Sequence, residues 1–195
     1  MLGADHPHTL STQAKLAAKM GEAGDEAGSI ETGRDLLKRV TRMLGVDHPY
    51  TLTIRASLAR MQEDAAEAVE AYARMLAVQK RLLGADHPDT LTTLNNLAGV
   101  RAWAGDTAGA TGAYAELVEH MVRVQGPDHP GTLATQGNLA RSHREAGNLE
   151  HAISLYEQTL ADCVRALGED DPLTGAIRID LAAVVAQREG RDEAS

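Results

Sequence analysis

The residues that could do chemistry in this 195-residue chain are eight histidines, one cysteine and a set of asparagines and arginines. Four histidines, His6, His48, His87 and His129, each precede a proline in an Asp-His-Pro triplet and recur at 42, 39 and 42 residues. A metal site needs ligands that converge, and this spacing spreads them along a repeat. The reading they support is helix capping and bracing of the turn between repeats. His6 and His8 flank Pro7 and can hold a divalent ion adventitiously, but two ligands do not make a site. His120, His143 and His151 have no cysteine and no obvious carboxylate partner. Cys163 lies beside Val164 on an apolar face, so it reads as a buried inert thiol, and a single cysteine excludes an intramolecular disulfide. No G-x-S-x-G, H-E-x-x-H or phosphate-cradling glycine loop occurs. Gly21, Gly24 and Gly28 make a loosened corner, and the acidic pairs Glu63-Asp64 and Asp170-Asp171 suit helix N-termini. The chain is therefore expected not to be an enzyme, and to use no metal and no cofactor.

The elements that position these side chains follow from the repeat. The segments LGADHPHTL, LGVDHPYTL, LGADHPDTL, GPDHPGTL and LGEDDPLTG carry lead aspartates Asp5, Asp47, Asp86, Asp128 and Asp170. Eleven residues after each comes a Leu-Ala pair, from Leu16-Ala17 to Leu181-Ala182, and Tyr72, Tyr114 and Tyr156 recur at 42, with Gly33 in the matching place of the first unit. The units are 5–46, 47–85, 86–127, 128–169 and a partial 170–195, forming one array. Each unit reads as two helices: proline suits the first helical position, apolar residues such as Leu91, Leu94, Leu97 and Ala98 keep a helical period, and a glycine closes the second helix. The second unit lacks three residues between Ala59 and Ala68, which predicts a shortened first helix or a tighter corner near Gln62–Ala65. With 43% hydrophobic and 3% aromatic residues and no Phe, the core must be made of Ala, Leu, Val and Met, which suits closely packed helices.

The Leu-Ala pair, the alanine twelve residues later (Ala110, Ala152) and the tyrosine four beyond (Tyr114, Tyr156) resemble the tetratricopeptide repeat. The 42-residue unit opening on D-H-P-x-T-L resembles the kinesin light chain type of that family. The resemblance implies an all-α fold, a right-handed α-solenoid of stacked antiparallel helix pairs with four repeats and a half-repeat. That type is common in bacterial proteins, often attached to signalling ATPases of the NB-ARC kind. The first unit departs from the pattern, with Ser29 and Gly33 in place of Ala and Tyr. Met1-Leu2-Gly3 resembles the tail of a preceding second helix, and Glu189, Arg191, Asp192 and Glu193 make the other end polar. These ends are read as those of a segment from a longer array, with a capping half-repeat as the alternative.

Charge divides unevenly between the helices. The chain carries a net −9, yet the expected first helices hold nine basic and four acidic residues, +5, which leaves −14 elsewhere. The resemblance places the first helix on the concave side, so the groove is expected to be basic on an acidic body; the alternative is that these arginines only solvate helix faces. In tetratricopeptide grooves an extended peptide is held by asparagine and basic side chains around the Leu-Ala pair. The matching residues here are Asn95, Asn96, Asn138, Arg141, Arg60 and Lys15, with Arg144 one turn beyond Arg141. Asparagine can satisfy a peptide backbone in either direction, and arginine can clamp a carboxylate with two bonds. Trp103 is either a packing residue or an aromatic anchor. Ala14, Ala56 and Gly137 interrupt the polar ladder. The expected partner is a protein or peptide, acidic in character. Nucleic acid is disfavoured by the acidic balance, and a membrane by the lack of a long apolar run. Cytoplasmic location is the default. The alternatives are a scaffold or sensor segment of a bacterial signalling protein, with intramolecular contacts or self-association through open array ends, and an enzyme or small-molecule binder that uses the groove as a pocket.

Overall fold

A computed structural model describes residues 7–193. Asp5, His6 and the Met1-Leu2-Gly3 segment lie outside the described residues, as do the side chains of His8, Asp192 and Glu193. The chain forms two compact units, Met1–Gly84 and Ala85–Ser195. The first contains α1 (Pro7–Glu22), α2 (Glu26–Leu44), α3 (Pro49–Met61) and α4 (Ala65–Leu83). The second contains α5 (Pro88–Trp103), α6 (Thr107–Gln125), α7 (Pro130–Glu145), α8 (Leu149–Leu167) and α9 (Pro172–Glu193). Among the described residues there is no strand. In each unit consecutive helices pack side by side, and in the second α9 also touches α7.

The Asp-His-Pro corner explains where the first helices begin. Proline takes the first helical position of α3, α5 and α7, where its missing N–H leaves no hydrogen bond unmade. The preceding histidine accepts from the amide two residues on: His48 Nδ1 from Tyr50 at 3.2 Å, His87 from Asp89 at 3.2 Å, His129 from Gly131 at 3.0 Å. Asp171 does the same for Leu173 at 2.8 Å, where aspartate replaces histidine. The following threonine turns inward. Thr132 and Thr174 are fully buried and donate to the carbonyls of Gly126 and Gly168, at 2.8 Å each. Those glycines end α6 and α8 at φ 90° and 98° with ψ beyond 160°, a backbone region open essentially to glycine alone. In the second unit the segment from the capping residue to the threonine three positions later thus starts one helix and fastens the end of the one before it.

The lead aspartate braces the same corner from outside. Asp86 receives Arg123 Nε of α6 at 3.0 Å, and Asp128 receives Arg165 of α8 at 2.6 Å. His120 also reaches Asp86, and its Nε2 lies 3.6 Å from Glu116. His120 therefore has the carboxylate partners that its sequence neighbourhood does not reveal, because Asp86 is distant along the chain and reaches it only through folding. In the first unit Arg74 stands 3.9 Å from Asp47.

The three-residue deficit falls in α3, which has 13 residues where α1, α5 and α7 have 16. The corner keeps its three residues and its geometry. Asp64 caps α4 as Asp25 and Asp106 cap α2 and α6. At the positive-φ position of this corner Gly24, Gly105 and Gly147 have φ between 79° and 85°, whereas Glu63 is forced to 54°.

The cores are small and aliphatic, as the composition requires. Leu10, Leu36, Val40, Ile54 and Leu58 fill the first unit. Leu133, Leu149, Ile153, Tyr156, Cys163, Ile177 and Val184 are central to the second. Tyr156 is completely buried and Tyr72 nearly so, while Tyr114 is partly exposed. Burial, with Asp171 and Asp162 nearby, pushes the Cys163 thiol up, which keeps it protonated and inert.

Two outcomes test this architecture. Glu63→Gly relieves a left-handed residue and is expected to raise unfolding free energy by about 0.5–1 kcal/mol in urea titrations. The hydrogen bonds from Arg123 and His120 hold Asp86 down at about 2, below its ordinary 3.8. Its contribution to stability is therefore present above about pH 4 and fades as pH falls towards 2. Asp86→Asn is expected to flatten that limb of the stability–pH curve; an unchanged limb would show that the brace does not act.

Candidate functional site

The cations of the first helices are largely answered from within each unit. In the first, Lys19 pairs with Glu22 at 2.6 Å and Arg55 Nε faces Glu67 of α4 at 3.4 Å. In the second, Arg101 donates to the Gly109 carbonyl at 3.1 Å and lies 3.8 Å from Asp106. Arg141 Nη2 meets Asp180 of α9 at 3.0 Å, and Arg178 meets Glu169 at 2.9 Å. The counter-charge comes from the corners (Asp106, Glu169), from one second helix (Glu67 of α4) and from the first helices themselves (Glu22, Asp180). Among the described residues Lys15, Arg60, Arg144 and Arg188 make no ion pair.

In the first unit Lys15 is exposed on α1. Arg60, at the end of α3, walls a recess of about 680 Å³ together with Glu22, Glu26, Ser29 and Glu63. Three glutamates thus surround the one arginine there, so its surroundings are acidic where the sequence predicts a basic surface. The charge partition by helix could not reveal this, because Glu26 and Glu63 belong to the second helix and the corner.

The second unit brings two of the expected residues together. Asn95 of α5 and Asn138 of α7 line one recess of about 420 Å³, floored by Leu117, Met121 and Val124 of α6 and flanked by Thr92 and Thr135. Neither asparagine side chain has a hydrogen-bond partner among the described residues, so donor and acceptor both remain available. Thr135 is occupied, donating to the Gly131 carbonyl at 2.8 Å. Asn96 is exposed on α5 but does not line the recess, and Trp103, 47% exposed, stands at the C-terminal end of α5 beyond it.

Arg141 lies one turn after Asn138 on α7, where the helical period keeps both on one face. Its guanidinium is half-exposed and held by Asp180, which Tyr156 Oη approaches at 3.5 Å from below. Burial, then the Asp180 charge, drive the Tyr156 phenol up to about 12, so it stays neutral. Arg144 is partly buried. His143 and His151 rings lie 4.7 Å apart near the α7–α8 corner, and burial followed by the His151 charge lowers His143. Among the described residues no three His, Cys, Asp or Glu side chains gather as a metal site, and no helix there is long and apolar enough to cross a membrane.

Sequence reasoning missed Asp180, Arg123 and Arg165. A signal existed for the arginines: Arg42, Arg123 and Arg165 each follow a lead aspartate by 37 residues, and Arg81 does so by 34 in the shortened unit. Asp180 was hidden because the matching places hold Lys15, Ser57, Asn96 and Asn138, none of them acidic.

Helix pairs of 13–16 and 19 residues, closed by a glycine and reopened by a capped proline, define an α-solenoid of two-helix repeats. The tetratricopeptide repeat profile matches residues 51–110 and 89–163, and the chain belongs to that family. It is similar to the crystal structure of a Podospora anserina kinesin light chain protein with nearly identical TPR-like repeats, at 27% identity and TM-score 0.81, covering 97% of this chain and 91% of that one. A single-substitution form of the same protein gives 25% identity and TM-score 0.82, covering 100% and 92%. BtubC (BKLC) from P. vanneervenii shares the fold at 22% identity and TM-score 0.70, covering 91% and 72%. No curated sequence matches the chain. The tetratricopeptide fold is a protein–protein interaction scaffold.

Proposed function

We propose that the chain is a non-catalytic interaction module that holds an extended, acidic peptide against the first helices of its second unit. The observation that carries this reading is the pair of unpartnered asparagine amides, Asn95 and Asn138, sharing one recess with an apolar floor. A peptide main chain laid there meets donors and acceptors alternately, which is what an asparagine amide can satisfy. Leu117, Met121 and Val124 give an apolar side chain somewhere to settle. Arg141 and Arg144, one and two turns further along α7, supply the preference for carboxylates.

Asp180 is part of this reading. Its carboxylate already occupies Arg141, so it stands in for a peptide acid when the groove is empty and must yield or share when one arrives. Such an internal competitor lowers affinity for weakly acidic segments more than for strongly acidic ones. Asn96 and Trp103 extend the surface along α5, with Trp103 exposed as an anchor would be. Lys15 and Arg60 lie in the first unit, and we assign them a peptide-binding role within that unit. Attachment to a larger signalling protein in a bacterial cytoplasm is compatible with this role.

Two binding measurements test the proposal, using calorimetry with a panel of acidic and charge-neutral peptides. Arg141→Glu with Arg144→Glu is expected to weaken acidic-peptide binding by about 1–3 kcal/mol, with a strong salt dependence in the parent protein. Asp180→Asn is expected to act in the opposite direction, strengthening binding by a few-fold, because Arg141 is then free. If both variants bind the panel as the parent does, peptide recognition on α7 is wrong.

A further inference from the structure

Two neighbouring seams of the second unit carry different side chains at equivalent positions. Between α7 and α9, Arg141 reaches Asp180 at 3.0 Å, and the Tyr156 hydroxyl of α8 comes up beneath, 3.5 Å from the same carboxylate. Forty-two residues earlier, between α5 and α7, the three places hold Gly99, Asn138 and Tyr114. A charged pair over a phenol thus becomes a gap and an amide over a phenol. Apart from the helix's own backbone, the one atom within 4 Å of a Cβ built on Gly99 is the Tyr114 hydroxyl oxygen, at 3.8 Å. The place that the Arg141 side chain fills in the next seam is open here. Gly99 follows Asn95 by one turn of α5, so the opening continues the recess that Asn95 and Asn138 line. Glycine is among the least favourable residues inside a helix, so the local structure of α5 does not call for it.

Hydrogen bonding and charge narrow the occupant. Tyr114 is half-buried, and its hydroxyl reaches solvent with no hydrogen-bond partner among the described residues. Burial raises the phenol, so it stays neutral and both donates and accepts, as the Asn138 amide does. An apolar side chain entering here would leave both groups unanswered. Either sign of charge meets a repelling neighbour, Glu145 for a carboxylate and Arg141 for a guanidinium, since these two act on the phenol in opposite senses. Asp180 gives Arg141 a full counter-charge, whereas Asn138 in the matching place gives none. A carboxamide donates and accepts at once and brings no charge.

We infer that the opening over Gly99 and Tyr114 is a specificity pocket for a carboxamide side chain, glutamine or asparagine, of the peptide held along α5 and α7. The Tyr114 hydroxyl and the Asn138 amide meet it as Tyr156 and Asp180 meet Arg141 in the next seam. The inference rests on the peptide reading and adds to it one neutral polar residue among the acidic ones.

Glutamine and methionine have similar length and helix propensity, so comparing Gly99→Gln with Gly99→Met in the full chain isolates the chemistry of the pocket without any peptide. Gly99→Gln is expected to melt about 2–4 °C above Gly99→Met, and to lose that margin in a Tyr114→Phe background. A second arm takes the tightest binder of the acidic peptide panel and places glutamine, asparagine, methionine, glutamate or arginine at each position in turn, read by calorimetry. At one position a carboxamide is expected to bind about fivefold tighter than the other three, and Tyr114→Phe is expected to remove the preference. Gly99→Gln fills the pocket from within and is expected to weaken that peptide about tenfold. Equal melting of the two Gly99 variants, or a bound peptide with no position preferring a carboxamide, would overturn the pocket and leave peptide binding standing. A panel with no binder at all would overturn both.

Discussion

The corner between one repeat and the next is the constraint on which the rest of the molecule depends. In the second unit a glycine at φ near 90° ends each second helix, a buried threonine six residues on binds its carbonyl, and a histidine or aspartate caps the next first helix, whereas the matching Thr51 of the first unit is buried without a partner. An exposed Asp–Arg pair braces the outside. Individually these contacts are modest, about 1 kcal/mol for a cap or a neutral hydrogen bond and less for an exposed ion pair. Together they fix the direction in which each helix leaves its predecessor. A core of alanine, leucine and valine, with four tyrosines in the whole chain, has few bulky shapes to set that angle by packing alone. The polar corner does it instead.

This division of labour frees the first helices to carry function. The first helices bury leucine, alanine and threonine against their neighbours, and their other polar side chains face solvent. In the second unit that produces a recess with two idle amides over an apolar floor. The arginines nearby are not a bare positive field. Arg101 is drawn back to its own corner, and Arg141 is held by Asp180. In the proposed reading, selectivity for acidic segments rests on exchange of one carboxylate for another at Arg141.

Much of the fold was legible in the sequence because the repeat displays it several times. The helix pairs, the capping histidines and the buried tyrosine follow from spacing that a single copy would not reveal. The shortened α3 was one of two readings of a three-residue deficit, and helix length gave way while the corner kept its geometry, at the expense of a strained Glu63. The site was less legible. Asn95 and Asn138 were named and line one recess, although they sit at neighbouring rather than matching positions of their repeats, the counterpart of Asn138 being Asn96. Asp180 was not, because pairing across α7 and α9 depends on three-dimensional register and breaks the pattern of its column. The acidic surroundings of Arg60 were hidden for a related reason: charge summed by helix does not say which corner a glutamate turns towards.

The central claim is that an acidic peptide lies along α5 and α7 of the second unit with its main chain on Asn95 and Asn138. A crystal structure of the chain soaked or grown with its tightest-binding acidic peptide addresses it most directly. The account predicts continuous density within hydrogen-bonding distance of both amides, with a peptide carboxylate at Arg141 or Arg144. Peptide density on the outer faces of α6 and α8, with both asparagines untouched, would contradict it.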